Sequence, residues 1–256
     1  MSSSPRVVPA EASALPFAAV LRAALLGAAA AGLVGALVSW LLVEIPIRAA
    51  LAIEAGHPHK PGSGQVPGQA AEMFSRTTQV IGGMLAAGLV ALVLGMLFAM
   101  VLARLRPRLP GRTDFARALA LAAAGFVVLS LLPAVKYPAN PPGVGDPETI
   151  STRTLYYLSF LAAAVLLSGL GLALRQRLPA RWPASGGSTV SVLAVVTGYV
   201  VLVAGWPASP DAIPAAVPAG LIWQFRLSSL AELGAMWATL GVVTGLVLER
   251  RAMPAS

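Results

Sequence analysis

Stretches of this chain near 17–45, 77–103, 114–135, 153–175, 188–206 and 227–248 are predominantly apolar. Nearly every one is long enough to cross a hydrocarbon layer about 30 Å thick, and a helix is the only single segment that satisfies its own backbone there. These spans therefore predict an all-α, polytopic transmembrane helix bundle of six helices, forming one integral membrane domain over residues 1–256. The fifth is short and weakly bounded, which leaves five helices as the fallback count. Composition agrees: 57% of the 256 residues are hydrophobic and 11% charged, against about 25% charged in a soluble domain. A soluble enzyme, a nucleic-acid-binding domain and a disordered chain are thereby excluded. The apolar run after the N-terminal segment is too long for a signal-peptide core, and Glu44 follows it where a small-residue cleavage site would stand. It is expected to be the first span.

The formal charge of +8 comes mostly from short connections that orient the bundle rather than from a nucleic-acid surface. With six helices and the N-terminus inside, 12 of the 18 basic residues fall on the cytoplasmic side. The positive-inside rule then predicts N-in and C-in termini. The outer loops, 46–76, 136–152 and 207–226, are longer and rich in Pro, Gly and carboxylates, and long ordered loops are where function concentrates. A three-plus-three inverted repeat fits this helix count, but the halves share no matching residues.

Small residues recur at four-residue spacing in the first span (Gly27, Ala31, Gly35), the second (Gly83, Ala87, Ala91, Gly95) and the sixth (Gly241, Gly245). Such stripes let helix backbones approach closely. Packing inside the bundle is the plainer reading, and contact with a second copy or a partner the alternative. Trp40, Trp182, Trp206 and Trp223 fall near span ends, as an aromatic belt does.

Three sets of residues carry candidate chemistry. His57 and His59, the only histidines, flank Pro58 and lie near Glu54 and Glu72. Two neutral imidazoles in a proline-stiffened loop with carboxylates nearby suit Co, Ni, Zn or Cu(II); a solvated loop is the bland alternative. Asp146-Pro147-Glu148 precedes the fourth span as an N-cap, a first-position proline and a dipole-opposing acid, and the two acids also suit an outer vestibule that concentrates cations. Glu44 and Glu232 stand at membrane depth, where a carboxylate marks an ion pathway or an ion pair. Glu232 lies too far along the chain from Arg226 for an i,i+4 bridge, and Arg226 has Asp146, Glu148 or Glu44 as prospective partners. The methionines Met84, Met96 and Met100 are read as packing rather than as soft ligands.

The chain has no cysteine, hence no thiolate metal site, iron–sulfur cluster or disulfide framework. It contains no G-x-x-x-x-G-K-[ST], H-E-x-x-H or G-x-S-x-G motif, and no acid–base constellation can be assembled. It is expected not to be an enzyme and to hold no tightly bound cofactor.

The segment KYPANPPGVGDPETI (Lys136–Ile150), followed by Arg153 and Thr154, resembles the outer loop of the CbtA-type family of predicted cobalt transporter subunits. PAAVPAGLIWQFRLSSL (Pro214–Leu230) is similar to that family's approach to its last helix, and Glu54, His57 and His59 to its histidine-bearing loop. The resemblance implies a subunit for cobalt uptake in the bacterial inner (cytoplasmic) membrane, with Co²⁺ as cargo. It also implies a small, one-helix, histidine-tailed partner of CbtB type. By position, His57 and His59 would capture metal, and Lys136, Tyr137, Asn140, Asp146 and Glu148 belong to the signature loop. Some relatives carry many more histidines in the first loop than these two. The expectation is an outer-face capture site built from His57, His59, Glu54 and Glu72, with Glu44 and Glu232 marking a way in between the first and last helices. A partner subunit or a homo-oligomer axis would complete the path. The alternative is a non-transporting membrane scaffold or assembly subunit that binds a protein through its outer loops.

Overall fold

The computed structural model describes residues 15–56, 76–142, 144–145, 147–178, 184–210, 213–214 and 217–252. Among these there is no β-strand, and six helices are long and apolar enough to cross a membrane. The first span is α1 (Phe17–Val38), a π-helical turn (Ser39–Val43) and α2 (Glu44–Gly56), which run on without a break. The second is α3 (Arg76–Leu105). The third is α4 (Asp114–Phe126), a second π turn (Val127–Leu131) and the short α5 (Leu132–Lys136). After a 3-10 turn at Pro147–Thr149 come α6 (Ile150–Arg177), α7 (Ala184–Gly205) and α8 (Ala219–Ala252).

Several helices outrun the apolar spans that predicted them. The first continues past 45 to Gly56, and the last starts at Ala219 rather than 227. Hydropathy marks where polar side chains begin, whereas the backbone ladder continues until its donors and acceptors find other partners. The loops expected over 46–76 and 207–226 are correspondingly shorter. Arg48 and Arg226 are helical, and Glu232 lies well down α8 rather than just inside its start, 13 residues from Ala219 or about 20 Å.

Both π turns have a covalent cause. Pro46 follows the first and Pro133 the second, and both proline side chains are fully buried. Proline has no N–H and its ring crowds the carbonyl four residues back, here Leu42 and Leu129. A widened turn absorbs that conflict inside a continuing helix.

The helices α1 and α8 form the central antiparallel pair, with α3 packed on α1, α4 on α8, and α6 with α7 as a hairpin beside the second π turn and α5. The core between the central helices is built from small residues with a few large ones keyed in: Ala23, Ala24, Ala28, Ala118 and Ala122 around Phe98, Leu102, Trp237 and Leu240. The stripes of small residues work within the chain. A Cβ on Gly27 would lie 2.5 Å from Thr244 Oγ1, one on Gly35 2.8 Å from Met236 Cγ, and one on Gly241 2.6 Å from Ala122 Cβ. A Cβ on Gly95 would collide with Ala28, while Gly83 has nothing within 4 Å. A buried polar bond between the third and last spans runs from Trp237 Nε1 to Ser130 Oγ at 3.0 Å, closing the second π turn onto α8.

The short connection between α3 and α4 is fixed by charge. Thr113 caps α4 by accepting from the Ala116 amide at 3.1 Å. Asp114, in the first turn, takes a bidentate pair from Arg106 (2.6 and 2.8 Å) and a further bond from Arg117 (3.3 Å). The fork geometry of guanidinium on carboxylate makes this the best-defined ion pair in the described residues.

Candidate functional site

The segment from Lys136 that resembles a family outer loop leaves α5 and is tied down at both neighbours. Lys136, the last residue of α5, donates from Nζ to the Val203 carbonyl at 2.9 Å, a cation meeting the carbonyl-rich C-terminal end of α7. Tyr137 donates its hydroxyl to the Pro207 carbonyl at 2.7 Å. Burial, and then the neighbouring Tyr156, push this phenol above its ordinary value of 10.0, so it remains a neutral donor at physiological pH. Its ring meets Phe160 edge-on with centroids 5.8 Å apart, and Phe160 meets Trp206 at 6.2 Å. Trp206 thus belongs to an interior aromatic cluster rather than to an exposed belt. Trp40 and Trp223 are exposed as a belt requires, and Trp182 lies outside the described residues.

From the other side, Arg226 on α8 donates from Nη2 to Asn140 Oδ1 at 2.9 Å and from Nε to the Ala139 carbonyl at 3.2 Å. Among the described residues it grips these neutral oxygens of the loop rather than Glu148 or Glu44; Asp146, the other expected partner, lies outside them. The early start of α8 is the reason, since it brings Arg226 level with that loop. Glu44 is taken by Arg48 on its own helix, at 3.0 Å.

These contacts enclose a cavity of about 260 Å³, lined by Tyr137, Asn140, Arg153, Tyr157, Ser209 and Arg226, with Pro138, Val144 and Ile213 as its apolar part. Arg153 and Tyr157 are one helical turn apart and so share a face of α6. Of the predicted residues, the structure brings Tyr137, Asn140 and Arg226 together here, with Lys136 anchored beside them. Glu44 and Glu232 do not line it. Tyr157 and Ser209 were missed in the sequence; the i,i+4 spacing of Arg153 and Tyr157 was the available signal. The cavity's two guanidinium groups come from α6 and α8, and that of Arg226 is engaged by the neutral oxygens of Asn140 and Ala139.

His57, His59, Glu72 and Asp146 lie outside the described residues, as does the side chain of Glu54, whose backbone is in α2. Among the described residues no group of three or more His, Cys, Asp or Glu side chains is placed to hold a metal ion. The N-cap position of α6 is taken by Thr149, which makes no side-chain capping bond, because the 3-10 turn containing Glu148 leads into α6; Asp146, expected there, lies outside the described residues.

The acids at membrane depth follow the seam between the first and last spans. Gly27 against Thr244 and Gly35 against Met236 fix its antiparallel register, which sets Glu44 level with Leu227 and Glu232 level with Ser39. Glu44 is buried. Glu232 is half-buried and meets neither a hydrogen-bond donor nor a cation among the described residues.

A family model described as "Probable cobalt transporter subunit (CbtA)" matches residues 17–249. No curated protein and no solved structure matches the chain.

Proposed function

This chain belongs to the CbtA family of probable cobalt transporter subunits, and on that premise we propose that it takes up a divalent transition-metal cation, cobalt first among them. The observation that carries the reading is the family match over nearly every span, joined to the unpaired Glu232 inside one of them. In this reading His57 and His59, with Glu54 or Glu72, capture the ion on the outer face. Imidazole suits first-row transition metals, and a histidine–carboxylate set competes well with the ion's water shell. Glu44 and Glu232 mark its way in along the α1–α8 seam. Arg226 holds the loop that resembles the family's signature segment against the outer end of the bundle.

Both termini face the cytoplasm in this reading, in a bacterial inner membrane, and a small histidine-tailed partner of CbtB type or a second copy completes a path that the apolar helix centres do not line with ligands. The protein acts on its cargo without chemical change, so it is not an enzyme and needs no resident cofactor.

The test is cobalt uptake by cells at limiting metal. Replacing both His57 and His59 by Ala is expected to lower uptake, and unchanged uptake refutes outer-face capture. A second reading, a scaffold that binds a protein partner, is favoured by the firmly anchored outer loop and its paired arginines. Stabilisation of the purified protein against heat by Co²⁺ supports transport, because a ligand that binds only the native state must stabilise it. A partner that co-purifies in stoichiometric amount, with no effect of metal, supports the scaffold.

A further inference from the structure

The cavity at the outer end of the bundle plays no part in the transport reading above. Three elements meet around it: α6 brings Arg153 and Tyr157, α8 brings Arg226, and the segment after α5 brings Asn140. Pro138, Val144 and Ile213 form its apolar side, and Val144 is buried. No acidic side chain among the described residues lines it. Glu148, in the 3-10 turn before α6, is exposed and stands outside the lining. The volume, about 260 Å³, is far more than a single water occupies, about 30 Å³ in the liquid. Apolar walls around a few convergent polar groups are what a small-molecule site consists of.

The polar groups of this lining have donors to spare. A guanidinium carries five N–H donors in one rigid plane. Arg226 commits one edge to the loop, Nε to the Ala139 carbonyl and Nη2 to Asn140 Oδ1. Both Nη1 hydrogens and the second on Nη2 remain, which is the end-on edge that a carboxylate takes with two parallel bonds. The oxygens already gripped are neutral, so the charge of Arg226 meets no counter-ion among the described residues. A guanidinium only donates, so the Asn140 amide has to turn its oxygen toward Arg226 and keep its Nδ2 hydrogens for something else. Those hydrogens and the Tyr157 hydroxyl have no partner among the described residues, whereas the Tyr137 hydroxyl is committed to Pro207.

We propose that this cavity binds a small organic carboxylate. Its carboxylate takes the free edge of Arg226, the Asn140 amide and the Tyr157 hydroxyl donate to its oxygens, and the Pro138, Val144 and Ile213 side covers its carbon frame. The loop bonds hold the guanidinium in place before the ligand arrives, which lowers the ordering cost of binding. An inorganic oxyanion leaves the apolar side uncovered. The same carboxylate chemistry reaches a membrane protein either free or already bound to a divalent metal ion, and the experiment tells these two sources apart. The site goes beyond the transport reading, which stands or falls on the histidines whether or not a carboxylate binds here.

The experiment uses the full chain in phosphatidylcholine nanodiscs and reads the binding of citrate and of succinate by calorimetry, without metal. Wild type is expected to bind at least one of them and to ignore its methyl ester, which keeps the carbon frame and loses the charge. Asn140→Asp still offers Arg226 an oxygen, so the loop anchor stays, but it sets a negative charge where a donor stood. It is expected to weaken binding at least about tenfold, with the 138–145 segment as resistant to limited proteolysis as in wild type. Tyr157→Phe removes only a hydroxyl; it is expected to weaken binding about two- to tenfold and carries the test if Asn140→Asp does not fold. Citrate with equimolar cobalt chloride, titrated into H57A/H59A, separates the sources. Tighter binding than citrate alone, abolished by adding Asn140→Asp, identifies the metal complex as the ligand, and equal or weaker binding identifies the free acid. No binding of either acid by wild type, equal affinity in wild type and both variants, or inorganic phosphate bound as tightly as the acids overturns the proposal, and none of these touches the dependence of cobalt uptake on His57 and His59.

Discussion

A methyl group on Gly27 tests whether the central helix pair is as close as the structure draws it. In Gly27→Ala the new carbon would stand 2.5 Å from Thr244 Oγ1 and 2.9 Å from the Leu240 carbonyl oxygen. Ordinary contact begins at 3.4 Å, so the seam has to open by about 0.9 Å at its tightest point. Overpacking of this kind costs about 1–3 kcal/mol. Thr244 is fully buried and its hydroxyl has no hydrogen-bond partner. Thr244→Ala therefore trades two effects: loss of a buried methyl, about 1 kcal/mol, against relief of an unsatisfied polar atom, about 1–3 kcal/mol. The single variant is expected to be neutral or slightly stabilising. In the double variant the nearest obstacle is gone and the Leu240 carbonyl remains, so most of the Gly27→Ala penalty returns as a favourable coupling of at least about 1 kcal/mol. Unfolding in mixed micelles of rising SDS fraction, followed by far-UV circular dichroism, measures all four corners of the cycle. Additivity within about 0.5 kcal/mol refutes the packing argument, and with it the register that places Glu44 and Glu232 on the same seam.

Two further outcomes follow from particular contacts. Removing the guanidinium in Arg226→Ala takes away the bonds to Asn140 and Ala139 and is expected to cost about 1–3 kcal/mol and to expose the 138–145 segment to limited proteolysis; Arg226→Lys, which lacks the fork, restores little, and an unchanged cleavage pattern in both variants argues against the anchor. The natural absence of cysteine makes single-cysteine topology mapping clean. Ser209→Cys is expected to react with an impermeant maleimide from outside the cell and Ala252→Cys only after lysis, and the reverse pattern contradicts the N-in, C-in orientation.

Part of the architecture was legible before any coordinates because it rests on bulk solvation. Six apolar runs gave six spans, and Gly27, Gly35, Gly241 and Gly245 identified faces that do pack within the bundle. The grip of Arg226 on the signature loop was not legible, since it depends on α8 starting at Ala219, inside a stretch that hydropathy assigns to a loop. The buried bond from Trp237 to Ser130 and the orphan hydroxyl of Thr244 were equally hidden. Serine and threonine in an apolar run carry no sign of whether they meet a partner helix. The π turns had a sequence signal that hydropathy does not weigh: a proline at the end of an apolar span, at Pro46 and again at Pro133.

Sequence by itself determined that the backbone must close its hydrogen bonds within helices and how many helices are long and apolar enough to cross, because each follows from transfer out of water. Only the tertiary structure decided which helices are neighbours, in what register, and which polar atoms face each other. The physical reason is that a helix apolar all round has no periodicity to distinguish lipid from protein. Contact between such helices is selected by shape, a glycine against a threonine or an alanine against a tryptophan, and shape complementarity belongs to pairs of surfaces that one stretch of sequence never contains.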